Sequence, residues 1–158
     1  MLSVLIKTIG FIFVISLFMN CSTRKLVRER WPNYSPKVIE VHDKKSPRRV
    51  ETYYFLNGNV ETEISYFGNK LDGLSRYWNI KGLLISESNY LNGLPHGFWI
   101  YYQQNGNLLK VEEYQFGQKH GYERYYHENG ILKSEIKYVN GKIFSQIIRW
   151  DSNGNILQ

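Results

Sequence analysis

The sequence predicts an all-β chain: an antiparallel meander of stacked β-hairpins drawn out into one elongated, twisted single sheet. Three observations carry that reading. Gly58, Gly82, Gly106, Gly130 and Gly154 stand 24 residues apart. Two tyrosine columns, Tyr66, Tyr90, Tyr114, Tyr138 and Tyr53, Tyr77, Tyr101, Tyr125, keep the same spacing. Between the glycines, side chains alternate with period two, as on a half-buried strand, and no window carries a helical i, i+3, i+4 stripe. A fixed period of this length marks a repeat array built from one supersecondary unit.

The amino end reads differently. Residues 8–20 carry no charge, and the apolar run Ile9 to Met19 after Lys7 is shorter than a membrane span. Residues 1–20 are therefore expected to be a signal peptide or a membrane anchor. Cys21 is the single cysteine, so it has no partner for an intramolecular disulfide. The segment looks like a bacterial lipoprotein signal ending in a cysteine to be lipidated, although Phe18, Met19 and Asn20 depart from the small-residue pattern before it. Residues 21–49 hold Pro32, Pro36 and Pro47 and read as a basic linker, with Val38 to Val41 a short capping strand.

Residues 50–158 are expected to be the repeat domain, about four and a half units long. Gln104-Asn105-Gly106-Asn107 and Glu128-Asn129-Gly130-Ile131 supply turn residues between aromatic and β-branched runs, so each unit is one hairpin. The structural glycines of these turns are Gly58, Gly82, Gly106, Gly130 and Gly154. A lone hairpin is marginal in water, so each unit must lean on its neighbours. The Tyr66 column and the column Tyr54, Trp78, Tyr102, Tyr126, Trp150 are expected to form that contact. Tyr77, Tyr101 and Tyr125 alternate away from it and, with Trp99, form the expected interaction surface.

The unit quoted from Gly97-Phe98-Trp99-Ile100-Tyr101-Tyr102 through Asn105-Gly106, Leu108, Tyr114, Gly117 and His120-Gly121 resembles the bacterial variant of the membrane occupation and recognition nexus (MORN) repeat. The resemblance covers about two thirds of the chain. It implies a scaffold of stacked hairpins used for protein or lipid contact, with no catalytic residues to carry over; bacterial members are often labelled antitoxin-like. A looser likeness is to choline-binding cell-wall repeats, which are shorter and richer in Trp.

Charge narrows the partners. Residues 22–50 carry nine basic and three acidic side chains, whereas residues 51–158 carry ten and eleven. The pI of about 9.3 therefore belongs to the segment before the repeats. A nearly neutral repeat sheet lacks the clustered Lys and Arg that a phosphate backbone needs, so nucleic acid is not expected as a partner. A basic segment beside an anchor would be drawn to anionic headgroups. Arg24, Lys25, Arg28 and Arg30 would also favour an inner-membrane signal-anchor with its body in the cytoplasm.

No catalytic residue, metal ligand set or cofactor site is expected. Asp72, His96 and His120 share a column, but equivalent positions lie two strands, about 10 Å, apart, too far to converge on one ion. The carboxylates Glu63, Glu87 and Glu135 share a repeat environment, whereas paired catalytic carboxylates need distinct ones. These residues together imply a non-enzymatic, membrane-tethered repeat lipoprotein of the cell envelope that binds a protein partner, envelope lipid or glycan. The alternatives are an antitoxin-like protein facing the cytoplasm and a cell-wall glycan-binding module.

Overall fold

The computed structural model describes residues 22–157, so the expected leader at 1–20 and Cys21 lie outside the described residues. Among the described residues there are thirteen strands and no helix. They are β1 (Thr23–Arg30), β2 (Pro36–Asp43), β3 (Arg48–Tyr54), β4 (Val60–Phe67), β5 (Lys70–Trp78), β6 (Leu84–Leu91) and β7 (Leu94–Tyr102). There follow β8 (Leu108–Gln115), β9 (Gln118–Tyr126), β10 (Leu132–Val139), β11 (Lys142–Ile143), β12 (Ile148–Trp150) and β13 (Ile156–Leu157). All belong to one antiparallel meander ordered β1 to β10, then β12 and β13, with the short β11 beside β10.

Two kinds of turn alternate. In the longer one, the Phe55 N–H donates to Asn59 O and the Gly58 N–H returns to Phe55 O, each at 2.9 Å. The same two bonds recur at Asn79–Leu83, Gln103–Asn107, His127–Ile131 and Asp151–Asn155. The other turns have two central residues, as in Asn92-Gly93 and Asn140-Gly141, with both at positive φ, the geometry that matches strand twist. Their glycines tie the units together: the N–H groups of Gly68, Gly93, Gly117 and Gly141 donate to the carbonyls of Pro47, Leu71, Pro95 and Lys119.

The array begins one unit earlier than the glycine lattice does, which corrects the reading of residues 21–49 as a linker. β1 and β2 pair over Thr23–Asp43, and β2 pairs with β3. Their loop repeats the longer turn, with Trp31 N–H on Ser35 O at 3.0 Å and Tyr34 N–H on Trp31 O at 2.9 Å. The expected capping strand at Val38 to Val41 is the middle of β2. Tyr34 occupies the position of Gly58, at φ +65°, so the lattice residue that identifies a unit is missing here. Val38 and Ile39, 6% and 5% exposed, are drawn onto β3, and that apolar burial outweighs the linker-like charge and proline content.

A non-glycine residue in the left-handed region costs about 1–2 kcal/mol, and the Tyr34 ring is 80% exposed, so it contributes little packing in return. Tyr34→Gly is therefore expected to stabilise the protein by about 0.5–1 kcal/mol, read as a higher urea midpoint at unchanged slope. A lower midpoint would contradict the assignment of this loop as a repeat turn.

The register sorts the side chains into two faces. Tyr77 pairs with Ser86 and Ser86 with Tyr101; Tyr101 pairs with Lys110 and Lys110 with Tyr125. Thr62 pairs with Tyr77 and Ser134 with Tyr125, and Tyr66, Tyr90, Tyr114 and Tyr138 stand at the same parity as Thr62, Ser86, Lys110 and Ser134 on β4, β6, β8 and β10. The Tyr77 and Tyr66 columns thus share one face, and the Tyr54 column lies on the other, contrary to the expected grouping of Tyr54 with Tyr66. The reason is the irregularity between Tyr53 and Tyr54, repeated at Tyr77/Trp78 and Tyr101/Tyr102, which resets parity across the longer turn.

Among the described residues the only buried apolar side chains are Val38, Ile39 and Ile136. The described residues form no second layer to make a core. Instead, a row across the tyrosine face lies between the two tyrosine columns and is the most covered line of the sheet. It runs through Ser75, Ser88, Trp99, Glu112, Glu123 and Ile136, and all but Trp99 are at most 8% exposed. Rings lying down over small or ion-paired residues do here what a second layer does in a sandwich.

Candidate binding face

Tyr77, Trp99, Tyr101 and Tyr125, the residues singled out from the sequence, fall together on the tyrosine face. Tyr77 and Tyr125 are 42% and 36% exposed. The Trp99 indole N–H donates to Asn89 O at 3.1 Å, and its ring contacts Tyr90 and Tyr114 with centroids 5.4 and 5.1 Å away. Trp99 is thereby fixed in the row between the columns, a wall for each neighbouring ring.

The residues that sequence reasoning missed are charged. Glu112 and Glu123 stand directly opposite one another across β8 and β9, an arrangement that like charges disfavour. Two ammonium groups resolve it. Glu112 receives Lys110 at 2.8 Å and Lys119 at 2.7 Å, and Lys119 also bonds Glu123. The Lys110 ammonium lies 5.5 and 5.1 Å from the ring centroids of Tyr101 and Tyr125. The signal was a set of exceptions within columns: Ser86, Lys110, Ser134 and Ser88, Glu112, Ile136.

The cluster shifts its own titrations. Burial pulls the Lys119 ammonium down, but hydrogen bonds and charge from Glu112 and Glu123 outweigh it and hold it above the lysine range. Burial likewise pushes Glu123 up, yet Lys119, Tyr125 and Lys110 leave it below its ordinary value. Glu87 is lowered by its hydrogen bond from Arg76. Carboxylates depressed in the folded state contribute stability that is intact above the unfolded value of about 4.3 and is lost as pH falls through the lower folded one. The urea midpoint is expected to be flat from neutrality to about pH 5 and to fall below about pH 4. A midpoint that rises on acidification would contradict this.

On the opposite face the glutamate ladder is neutralised by arginines. Arg76 bonds Glu87 at 2.7 Å and Glu63 at 3.2 Å, and Arg124 bonds Glu135 at 2.6 Å. Asp72, His96 and His120 serve the two-residue turns. Asp72 accepts from the Asn92 N–H at 3.1 Å, and the Nδ1 atoms of His96 and His120 lie 3.5 Å from the Phe116 and Asn140 nitrogens. Among the described residues no three His, Cys, Asp or Glu side chains gather as a metal site.

Two hollows bear on binding. The larger, about 710 Å³, opens between successive longer turns near Gln103 and His127. Part of its polar lining is already engaged: Gln103 Nε2 donates to Leu108 O and His127 O, and His127 Nε2 meets Trp150 O. The smaller, about 240 Å³, lies on the tyrosine face and is lined by Tyr77, Ser86, Ser88, Tyr90, Trp99 and Tyr101, with Glu87 at its rim. Both are walled by aromatic rings, Tyr102 and Tyr126 in the larger, but only the smaller lies on the tyrosine face. Compared with known proteins, the chain matches no family model and no curated sequence.

Proposed function

We propose that the protein is a non-enzymatic β-repeat scaffold whose tyrosine face binds a partner in the cell envelope, the chain being tethered through a lipid on Cys21 or through the apolar segment before it. One observation carries the reading: a row of tyrosines with Trp99 stands on one face of the sheet, and among the described residues no second layer lies over it. Aromatic side chains are the residues that interfaces and glycan surfaces favour, because they present large area with few rotatable bonds. The MORN-like repeat pattern supports the same use of the array, for protein, lipid or glycan contact.

The test compares two surfaces. A Tyr77→Ser, Tyr101→Ser, Tyr125→Ser triple variant is expected to lose retention on purified envelope fractions, whereas Phe98→Ser on the opposite face, 56% exposed, is expected to keep it. Equal retention of the triple variant would overturn the choice of face. The tether is read separately: fatty-acid labelling is expected in the wild type and absent in Cys21→Ala. The basic residues of β1 favour a second topology, an antitoxin-like body facing the cytoplasm. A periplasmic reporter fused after Gln158 distinguishes them, being active only on export.

A further inference from the structure

Six Asn-Gly pairs stand at the turns: Asn57-Gly58, Asn92-Gly93, Asn105-Gly106, Asn129-Gly130, Asn140-Gly141 and Asn153-Gly154. This pair has a chemistry of its own. The glycine nitrogen attacks the asparagine Cγ, closing a five-membered succinimide and releasing ammonia, and water then opens the ring to aspartate or isoaspartate. Glycine permits the close approach because it has no Cβ. The groups that must move are the side-chain amide and the glycine N–H, so whatever holds them sets the rate.

The glycine end is held nearly alike throughout. The N–H groups of Gly58, Gly93, Gly106, Gly130 and Gly141 donate at 2.7–2.9 Å, and that of Gly154 donates to Asp151 O at 3.1 Å. The amide end differs within one class of turn. Asn57 is held at both atoms, Oδ1 accepting from the Asn59 N–H at 3.0 Å and Nδ2 donating to Ile80 O at 2.9 Å. Asn129 is held likewise, by the Ile131 N–H at 3.2 Å and by Ser152 O at 2.7 Å. Asn105 keeps one bond, from the Asn107 N–H at 2.9 Å. In the turn from Asp151 to Asn155, the Asp151 carboxylate takes both the Asn153 and the Asn155 N–H at 2.9 Å. The Asn153 amide is left without a partner among the described residues. The two-residue turns repeat the contrast. Asn140 Oδ1 meets His120 Nδ1 at 3.3 Å. Asp72 stands in the place of His120, takes the Asn92 N–H and, as a carboxylate, has no proton to give the Asn92 amide.

We propose that Asn153 is a site of spontaneous deamidation, with Asn92 its counterpart in the two-residue turns, whereas Asn57 and Asn129 are shielded. Water is the one co-reactant and ammonia the leaving group. Isoaspartate at 153 lengthens the main chain by one carbon in the turn joining β12 and β13, beside the Asp151 carboxylate. That hairpin is therefore where the array ages first, whatever partner the tyrosine face takes.

The test ages the full-length protein in detergent at neutral pH, folded and in urea. Loss of amide at each site is followed by fragment-resolved mass spectrometry, and isoaspartate by enzymatic methylation. Urea removes the turn bonds and keeps the effect of flanking residues, so each folded rate is divided by the rate of the same site in urea. The ratio is expected to be about tenfold or more higher for Asn153 than for Asn57 and Asn129, and higher for Asn92 than for Asn140. Asp151→His copies His127 of the preceding turn and returns the Asn155 N–H to Asn153 Oδ1, so it is expected to slow Asn153 about threefold. Should that variant loosen its own hairpin, the Asn92 and Asn140 ratios of the wild type still decide. A ratio at Asn57 or Asn129 equal to that at Asn153, a ratio at Asn140 above that at Asn92, or aspartate without isoaspartate at Asn153 overturns the proposal.

Discussion

Replacing Glu112 with alanine is expected to cost about 3 kcal/mol, because removing one partner of a buried ion pair strands the other charges. Glu112 is 4% exposed and takes both Lys110 and Lys119. Its loss leaves two ammonium groups competing for Glu123 beneath Tyr101 and Tyr125. The double variant Lys110→Ser, Glu112→Ser instead copies the preceding unit, where Ser86 and Ser88 hold these positions, and is expected to recover about half of the loss. Urea unfolding of the three proteins checks this. A single variant within about 0.5 kcal/mol of wild type would show that the cluster is solvated rather than structural.

Gly121→Ala is expected to cost about 2–3 kcal/mol. Gly121 sits at φ +103°, outside the range side chains adopt. A Cβ there overlaps the Glu113 carboxylate and lies 3.0 Å from the Glu113 Cβ, so the strand neighbour must move as well as a flexible side-chain end. Gly130→Ala is the control. It has φ +83° but nothing within 4 Å, so it carries the backbone term alone, about 1 kcal/mol. Equal losses in the two variants would show that the close approach at Gly121 has no energetic weight.

The hairpin array was legible because each unit repeats its own evidence. The lattice from Gly58 to Gly154 marks five turns whose glycines lie between +82° and +89° in φ, and alternation within a strand is a local property. Two things were not legible, and both are relations between units. Tyr34 hid the first hairpin, since a turn can be held in the left-handed region by bonds of its own, such as Asn33 Oδ1 to the Ser35 N–H at 3.1 Å, without the glycine that usually reveals it. The pairing of the Tyr77 and Tyr66 columns on one face was hidden because the irregularity beside Tyr54, Trp78 and Tyr102 shifts parity by one residue across each longer turn. The Glu112 cluster escaped because columns were compared for what they share, while Lys110, Glu112 and Glu123 are where the repeat departs from itself.

A sheet whose described residues form a single layer should yield unit by unit rather than all at once. Each hairpin touches only its neighbours, so damage at one should weaken the adjoining strands most. Native-state amide hydrogen exchange on Glu112→Ala tests this directly. Protection is expected to fall in β7 to β10 and to persist in β3 to β5. Uniform loss across all the strands would mean that the chain unfolds as one cooperative body, and would contradict a single layer held together by neighbouring hairpins.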